Sequence, residues 1–146
     1  MPVIASVSVC IARVPLAAPV TFSTRRVTAR EYCLVRIRST DGVEGLGYCY
    51  AVNSAGRLLS VAVTDLLAAR LVGQDSHRVE GLWTEMYQEA LLVGRTGAVM
   101  RALSALDTAL WDLNARSAKL PLYRFLGAKA LDRVPGYASG GYYLPG

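Results

Sequence analysis

Residues Ala102–Gly127 read ALSALDTALWDLNARSAKLPLYRFLG. Just upstream and within it, Met100, Leu103, Leu106, Leu110 and Leu113 recur at three- and four-residue spacing, which predicts a helix from about Thr96 and Gly97 to about Ala118. Pro121 cannot continue that helix but is suited to open another, so Pro121 to Leu126 reads as a short extra turn, closed by Gly127. Asp107 stands four residues after Leu103 and four before Trp111, so it is expected on the apolar face, with Asp112 turned away. A carboxylate taken out of water must be paired or hydrogen-bonded. Two readings are open for Asp107: a catalytic acid, or a structural acid bonded to backbone amides or an arginine.

Working back towards the N-terminus, the helical period persists and then gives way. Val79, Leu82, Trp83, Met86, Tyr87, Ala90 and Leu91 predict a second helix, entered at Asp75 and Ser76 and ended by Gly94. Leu58, Leu59, Ala62, Val63, Leu66 and Leu67 predict a first helix, with Gly73 at its C-terminal cap. Before Gly56 the period is that of strands. Val3, Ala5, Val7, Val9 and Ile11 alternate with Ser6 and Ser8, and Cys33, Val35 and Ile37 alternate with Arg36 and Arg38. Asp41-Gly42 supplies a tight turn into a third strand, Val43 to Tyr50, where Gly45 and Gly47 suggest a bulge or a close backbone approach. Pro15 to Arg30 has two prolines and no sustained period, and is expected to be a long mobile loop. Strands first and helices after make the fold class α+β: a three-stranded antiparallel meander followed by a three-helix bundle.

The chain has 146 residues, enough for one domain with a real core. Charged residues make up 18% and hydrophobic ones 53%, against a usual charged share of about 25%. Some apolar surface is therefore expected to meet another domain or subunit. The net charge of +5 comes from scattered basic residues, with no run longer than Arg25-Arg26, so a nucleic-acid partner is not expected. The N-terminus lacks the basic start of a signal peptide, and no apolar run approaches a membrane span, so no membrane partner is expected and the cytoplasm is the default location. Cys10, Cys33 and Cys49 form no CxxC pair and are expected to be buried thiols in a reducing compartment. His77 is the single histidine, expected in the first turn of the second helix, and with no second ligand beside it a metal site is not indicated. Gly45-x-Gly47 and the pair Gly94, Gly97 do not complete a nucleotide-binding GxGxxG.

The run Ala105-Leu-Asp-Thr-Ala-Leu-Trp-Asp112, then Leu120-Pro-Leu-Tyr123 and Leu126-Gly127, resembles the mandelate racemase and muconate lactonizing enzyme group of the enolase superfamily. Asp41-Gly-Val-Glu-Gly-x-Gly-Tyr48, Leu71-Val-Gly-Gln-Asp75 and Pro15-Leu-Ala-Ala-Pro-Val20 add to the resemblance, in the order of that group's N-terminal capping domain. The resemblance implies a two-part enzyme: a cap, residues 1–127, and a modified barrel of about 200–250 further residues, of which residues 128–146 would be the linker and first strand. Val134 to Ser139 resembles that strand. Such enzymes abstract a proton beside a carboxylate and stabilise the product on magnesium, with ligands and bases on the barrel. No residue here matches those motifs, so no catalytic or metal-ligating residue is assigned, and the chain alone is expected to be inactive.

The resemblance further implies that two loops of the cap close over the barrel mouth. They fall around Val20 to Arg26 and Tyr50 to Ser54, making Val20, Phe22, Arg25, Tyr50, Val52 and Asn53 the expected substrate-facing residues. Phe22 and Val52 would form an apolar wall, and Arg25 or Asn53 would hold a carboxylate or hydroxyl. The expected partners are the barrel, a small carboxylate substrate and further copies of the chain in a homo-oligomer. The alternative is a free-standing α+β module that binds a ligand or partner through the same loops, or that assembles through its helix faces.

Overall fold

The computed structural model describes residues 2–51, 55–127 and 135–139. Three antiparallel strands, β1 (Ile4–Phe22), β2 (Arg25–Ser39) and β3 (Glu44–Ala51), lie in the order β1-β2-β3. Four helices follow: α1 (Gly56–Val61), α2 (Val79–Ala90), α3 (Gly97–Ser117) and the single turn α4 (Leu122–Phe125). The α+β meander and its helical layer are as the periodicities predict. Asp41-Gly42 makes the β2–β3 turn, with Gly42 at φ +87°, and the Ser39 hydroxyl donates to the Asp41 carboxylate and to Val43 O.

The core lies between one face of the sheet and the helices. Cys33, Val35 and Ile37 of β2 are fully buried there against α3, whose Leu103, Leu106, Leu110 and Leu113 join them in one core cluster with Leu82 and Met86 of α2, which packs on the other side of that helix layer. Gly45 and Gly47 are the close approach that their sequence suggested. A Cβ on Gly45 would overlap Ala109 O, and one on Gly47 would overlap Ala105 O and lie 2.9 Å from Ala109 N. The backbone of α3 therefore rests directly on β3, which no side chain larger than hydrogen permits.

Several expectations change. Pro15 to Arg30 is not a loop. It is a continuation of the β1–β2 hairpin, turning at Ser23-Thr24, where Ser23 has φ 49°. Pro15 pairs with Ala29 and Val20 with Val27, so residues 16–19 stand opposite residue 28 as an irregular bulge. That offset breaks the alternation, and the two prolines sit at its ends, where a missing N–H removes no ladder bond. A second shift between Ile4 and Ser6 makes Ile4 the buried residue at the start of β1, in place of Val3 and Ala5. It also leaves Cys10 exposed, while Cys33 is buried and Cys49 half-buried. Burial pushes the Cys33 thiol up to about 11.

The first helix does not run regularly. After α1 it widens into a π-helical stretch, Ala62–Leu67, and tightens into a 3₁₀ turn, Ala68–Arg70. α2 begins at Val79, so His77 precedes the helix and is exposed, its amide donating to Asp75 Oδ1 at 3.0 Å. Ser76 does not cap α2. Its buried hydroxyl donates to Asn114 Oδ1 at 2.6 Å, and Asn114 Nδ2 returns to Ser76 O at 2.7 Å, which ties this loop to α3. Residues 135–139 form no regular element, and the rest of the strand expected there lies outside the described residues.

Candidate functional site

β3 ends at Ala51, opposite Glu31 of β2. Beyond that point β1 and β2 continue alone, as a two-stranded arm reaching roughly 20 Å past the end of β3 at about 3.3 Å per residue. Because neighbouring strands are antiparallel, the tip of the arm and the end of β3 leave the same end of the sheet. The two segments expected to face a substrate are thus brought to one side of the molecule.

Val20 pairs with Val27, and Phe22 with Arg25 across the turn at the tip. Val52 and Asn53 lie outside the described residues. Tyr50 is half-buried opposite Tyr32, their ring centres 5.6 Å apart, and Tyr32 also meets Tyr48 at 6.1 Å. This aromatic cluster is on the sheet face away from the helices, since Gly45, Gly47 and Ala51 alternate with it on the buried face. Tyr50 therefore does not share a face with Arg25, which alternates in step with the buried Cys33 and Val35.

Along the arm runs an open groove of about 390 Å³, lined by Arg13, Arg25, Arg26, Val27, Thr28, Ala29 and Glu31. Three guanidinium groups against one carboxylate make it electropositive, and guanidinium forks match carboxylates in geometry as well as charge. Periodicity could not single out Arg13 and Glu31 as members of this group, because only the pairing of Arg13 with Glu31 across the hairpin brings them to Arg25. Glu31 has a further task. Its Oε1 accepts the Gly56 N–H at 2.7 Å. A Cβ on Gly56 would lie 2.5 Å from that oxygen and 2.8 Å from Ile11 Cγ2. Glu31 thereby fixes the start of α1, and so the far end of the turn that follows β3.

A larger groove, about 670 Å³, lies elsewhere, between the start of α2, α3 and α4. It is walled by Trp111 and Phe125, edge to face at 6.1 Å. Its aromatic wall beside Leu122–Phe125 suits packing against polypeptide better than it suits a charged ligand.

Of the two helix carboxylates, Asp112 takes the structural role expected of Asp107. Its Oδ2 accepts the outward N–H of Leu46 at 2.8 Å and Arg116 Nε at 2.8 Å, joining α3 to the open edge of β3. Asp107 is only half-buried, and among the described residues no hydrogen bond reaches its carboxylate. Desolvation pushes its carboxyl above the ordinary value.

The family described as Mandelate racemase / muconate lactonizing enzyme, N-terminal domain, matches residues 4–127. The chain belongs to this family. It is 38% identical over 129 residues to a 3,6-anhydro-alpha-L-galactonate cycloisomerase of Streptomyces coelicolor, covering 88% of this chain and 36% of that protein. It is 33% identical over 144 residues to an L-talarate/galactarate dehydratase of Salmonella typhimurium, covering 94% and 36%. Among solved structures, a racemase from Streptomyces coelicolor with bound magnesium superposes with a TM-score of 0.82 at 36% identity, over 86% of this chain and 35% of that one. The chain spans about a third of the length of these relatives, the portion that holds the family's N-terminal domain. No described helix is long and apolar enough to cross a membrane.

Proposed function

We propose that this chain is the capping domain of a cytoplasmic, magnesium-dependent racemase or acid-sugar dehydratase, whose chemistry is removal of the proton beside a carboxylate. The observation that carries the reading is that the arm, its electropositive groove and the end of β3 all leave the same end of the sheet, in a family whose relatives include an L-talarate/galactarate dehydratase. This end is the lid over the mouth of a barrel contributed by sequence beyond residue 127. Arg25, supported by Arg13 and Arg26, attracts and orients an acid-sugar carboxylate. Val20 and Phe22 are assigned to the apolar part of the substrate site and Val52 and Asn53 to its edge after β3, whereas Tyr50, on the sheet face opposite Arg25, does not reach the carboxylate that Arg25 would hold. Closure of both segments excludes water from the reacting carbon.

Magnesium would stabilise the negative charge that develops on the substrate carboxylate. Among the described residues, no three His, Cys, Asp or Glu side chains converge, so they do not fit an ion site and no step here runs through one. The work of this chain is binding, orientation and exclusion of water. Its free thiols suit a reducing compartment.

The test is turnover of aldonic and aldaric acids by the intact enzyme containing this domain. Arg25→Ala is expected to lower kcat/KM about 10- to 150-fold, the value of one charge-assisted hydrogen bond of about 1.5–3 kcal/mol. Unchanged kcat/KM with every acid sugar that is turned over would overturn the lid assignment.

A further inference from the structure

Glu31 occupies the last row in which all three strands meet, opposite Arg13 of β1 and Ala51 of β3. In an antiparallel pair, opposed residues alternate between exchanging both backbone bonds and exchanging none. Two bonds set the phase here. Ser39 N–H donates to Val43 O at 2.9 Å, whereas Leu46 N–H points away from β2 to Asp112 Oδ2. The bonded rows of β2 and β3 are therefore Ile37 with Gly45, Val35 with Gly47, Cys33 with Cys49 and Glu31 with Ala51. The backbone of Glu31 thus holds the last residue of β3. Its side chain holds Gly56, the first residue of α1, through Oε1 at 2.7 Å. One residue anchors both ends of the segment 52–55.

The local sequence gives α1 no cap of its own. Ala55 stands at the N-cap position without a side-chain oxygen, and the first turn carries no acid. A helix start has N–H groups without partners and a partial positive charge, and a carboxylate brought from β2 answers both. The seat suits glycine alone, since Gly56 is buried against the Glu31 carboxylate and Ile11. Arg13 lies opposite Glu31 in a row that β1 and β2 do not bond, where side chains come closest. Even so, among the described residues no ion pair joins Glu31 to Arg13, Arg25 or Arg26. The one carboxylate of the groove is committed to an amide, which leaves its three guanidinium groups to an incoming acid.

We propose that Glu31 is a positioning residue for the reaction: by holding Ala51 and Gly56 together it sets where the segment after β3 stands relative to the arm, and so shapes the substrate site the two share. The inference rests on the lid reading above. The arm leaves the sheet from the row of Glu31, so arm and segment have a common base. Glu31 acts through its hydrogen bond to Gly56 and not through its charge, which separates its role from that of the arginines beside it.

The test is steady-state turnover of aldonic and aldaric acids by the intact enzyme containing this domain, with amide exchange at residues 56–59 read in parallel. Glu31→Gln keeps an acceptor oxygen at the same reach and removes the charge. Glu31→Asp keeps the charge and falls short by one bond of about 1.5 Å. Glu31→Ala and Glu31→Asp are expected to speed exchange at 56–59 about 5-fold and to lower kcat/KM by a similar factor, with KM raised. Glu31→Gln is expected to recover most of both losses. A fall in kcat at unchanged KM, the mark of a smaller folded fraction, overturns the proposal. So does a Glu31→Gln enzyme as impaired as Glu31→Ala, because charge is then what matters. If Glu31→Ala does not fold, the contrast between Asp and Gln decides. Arg25→Ala tests the lid separately. Loss of kcat/KM with Arg25→Ala but not with Glu31→Ala or Glu31→Asp leaves the lid standing and overturns this proposal, whereas no loss with any of them overturns both.

Discussion

Asp107 and Asp112 lie on the same helix, and the fold treats them differently. Asp112 reaches the edge of β3 and accepts an amide that nothing else in the sheet satisfies. Asp112→Ala is expected to lower stability by about 1 kcal/mol, read as a drop in the urea midpoint at constant slope, because water reaches the exposed edge and replaces part of the lost bond. Asp107 is partly desolvated, so its native pKa stands above its unfolded value. The native state then holds the proton more tightly than the unfolded state, and the ionised group opposes folding at neutral pH. Asp107→Asn is expected to raise Tm at pH 7, with the gain fading as pH falls through the native pKa and gone below the unfolded value near 3.8. A pH-independent difference would contradict the desolvation account. The sequence placed both residues on the helix and named the partners a structural acid would need. It could not tell which carboxylate has those partners, because that depends on how α3 crosses β3.

The close seat of α3 on β3 is an element-level feature that was legible as Gly45-x-Gly47. Gly47→Ala forces a methyl against the α3 backbone and is expected to cost about 1–3 kcal/mol, visible in chemical denaturation. The arm was not legible as strands. Two prolines and a bulge of residues 16–19 hide its pairing from any period-two count, although the same prolines mark where the ladder is interrupted. The site suffered from the same gap: Arg25 was found from a resemblance, whereas Arg13 and Glu31 join it only through the hairpin. Glu31 links the arm to α1, so Glu31→Ala is expected to leave Gly56 N–H without its partner and weaken the start of α1 by about 1 kcal/mol, seen as faster amide exchange at Gly56 to Leu59. Unchanged exchange there would mean that the turn after β3 is held by other contacts.

At the scale of the whole molecule, a low charged fraction and an aromatic groove beside α4 are the features expected of a domain that packs against a neighbour. The helical layer packs on the sheet as a continuous core, and the proposed lid role assigns the movement to the arm and to the segment that follows β3. The measurement that tests this most directly is hydrogen exchange on the intact protein that contains this domain, with and without magnesium and an acid sugar that it turns over. The account predicts added protection in peptides covering residues 20–28 and 50–56, with little change in α2 and α3. Full turnover with no change in exchange at either segment would contradict it.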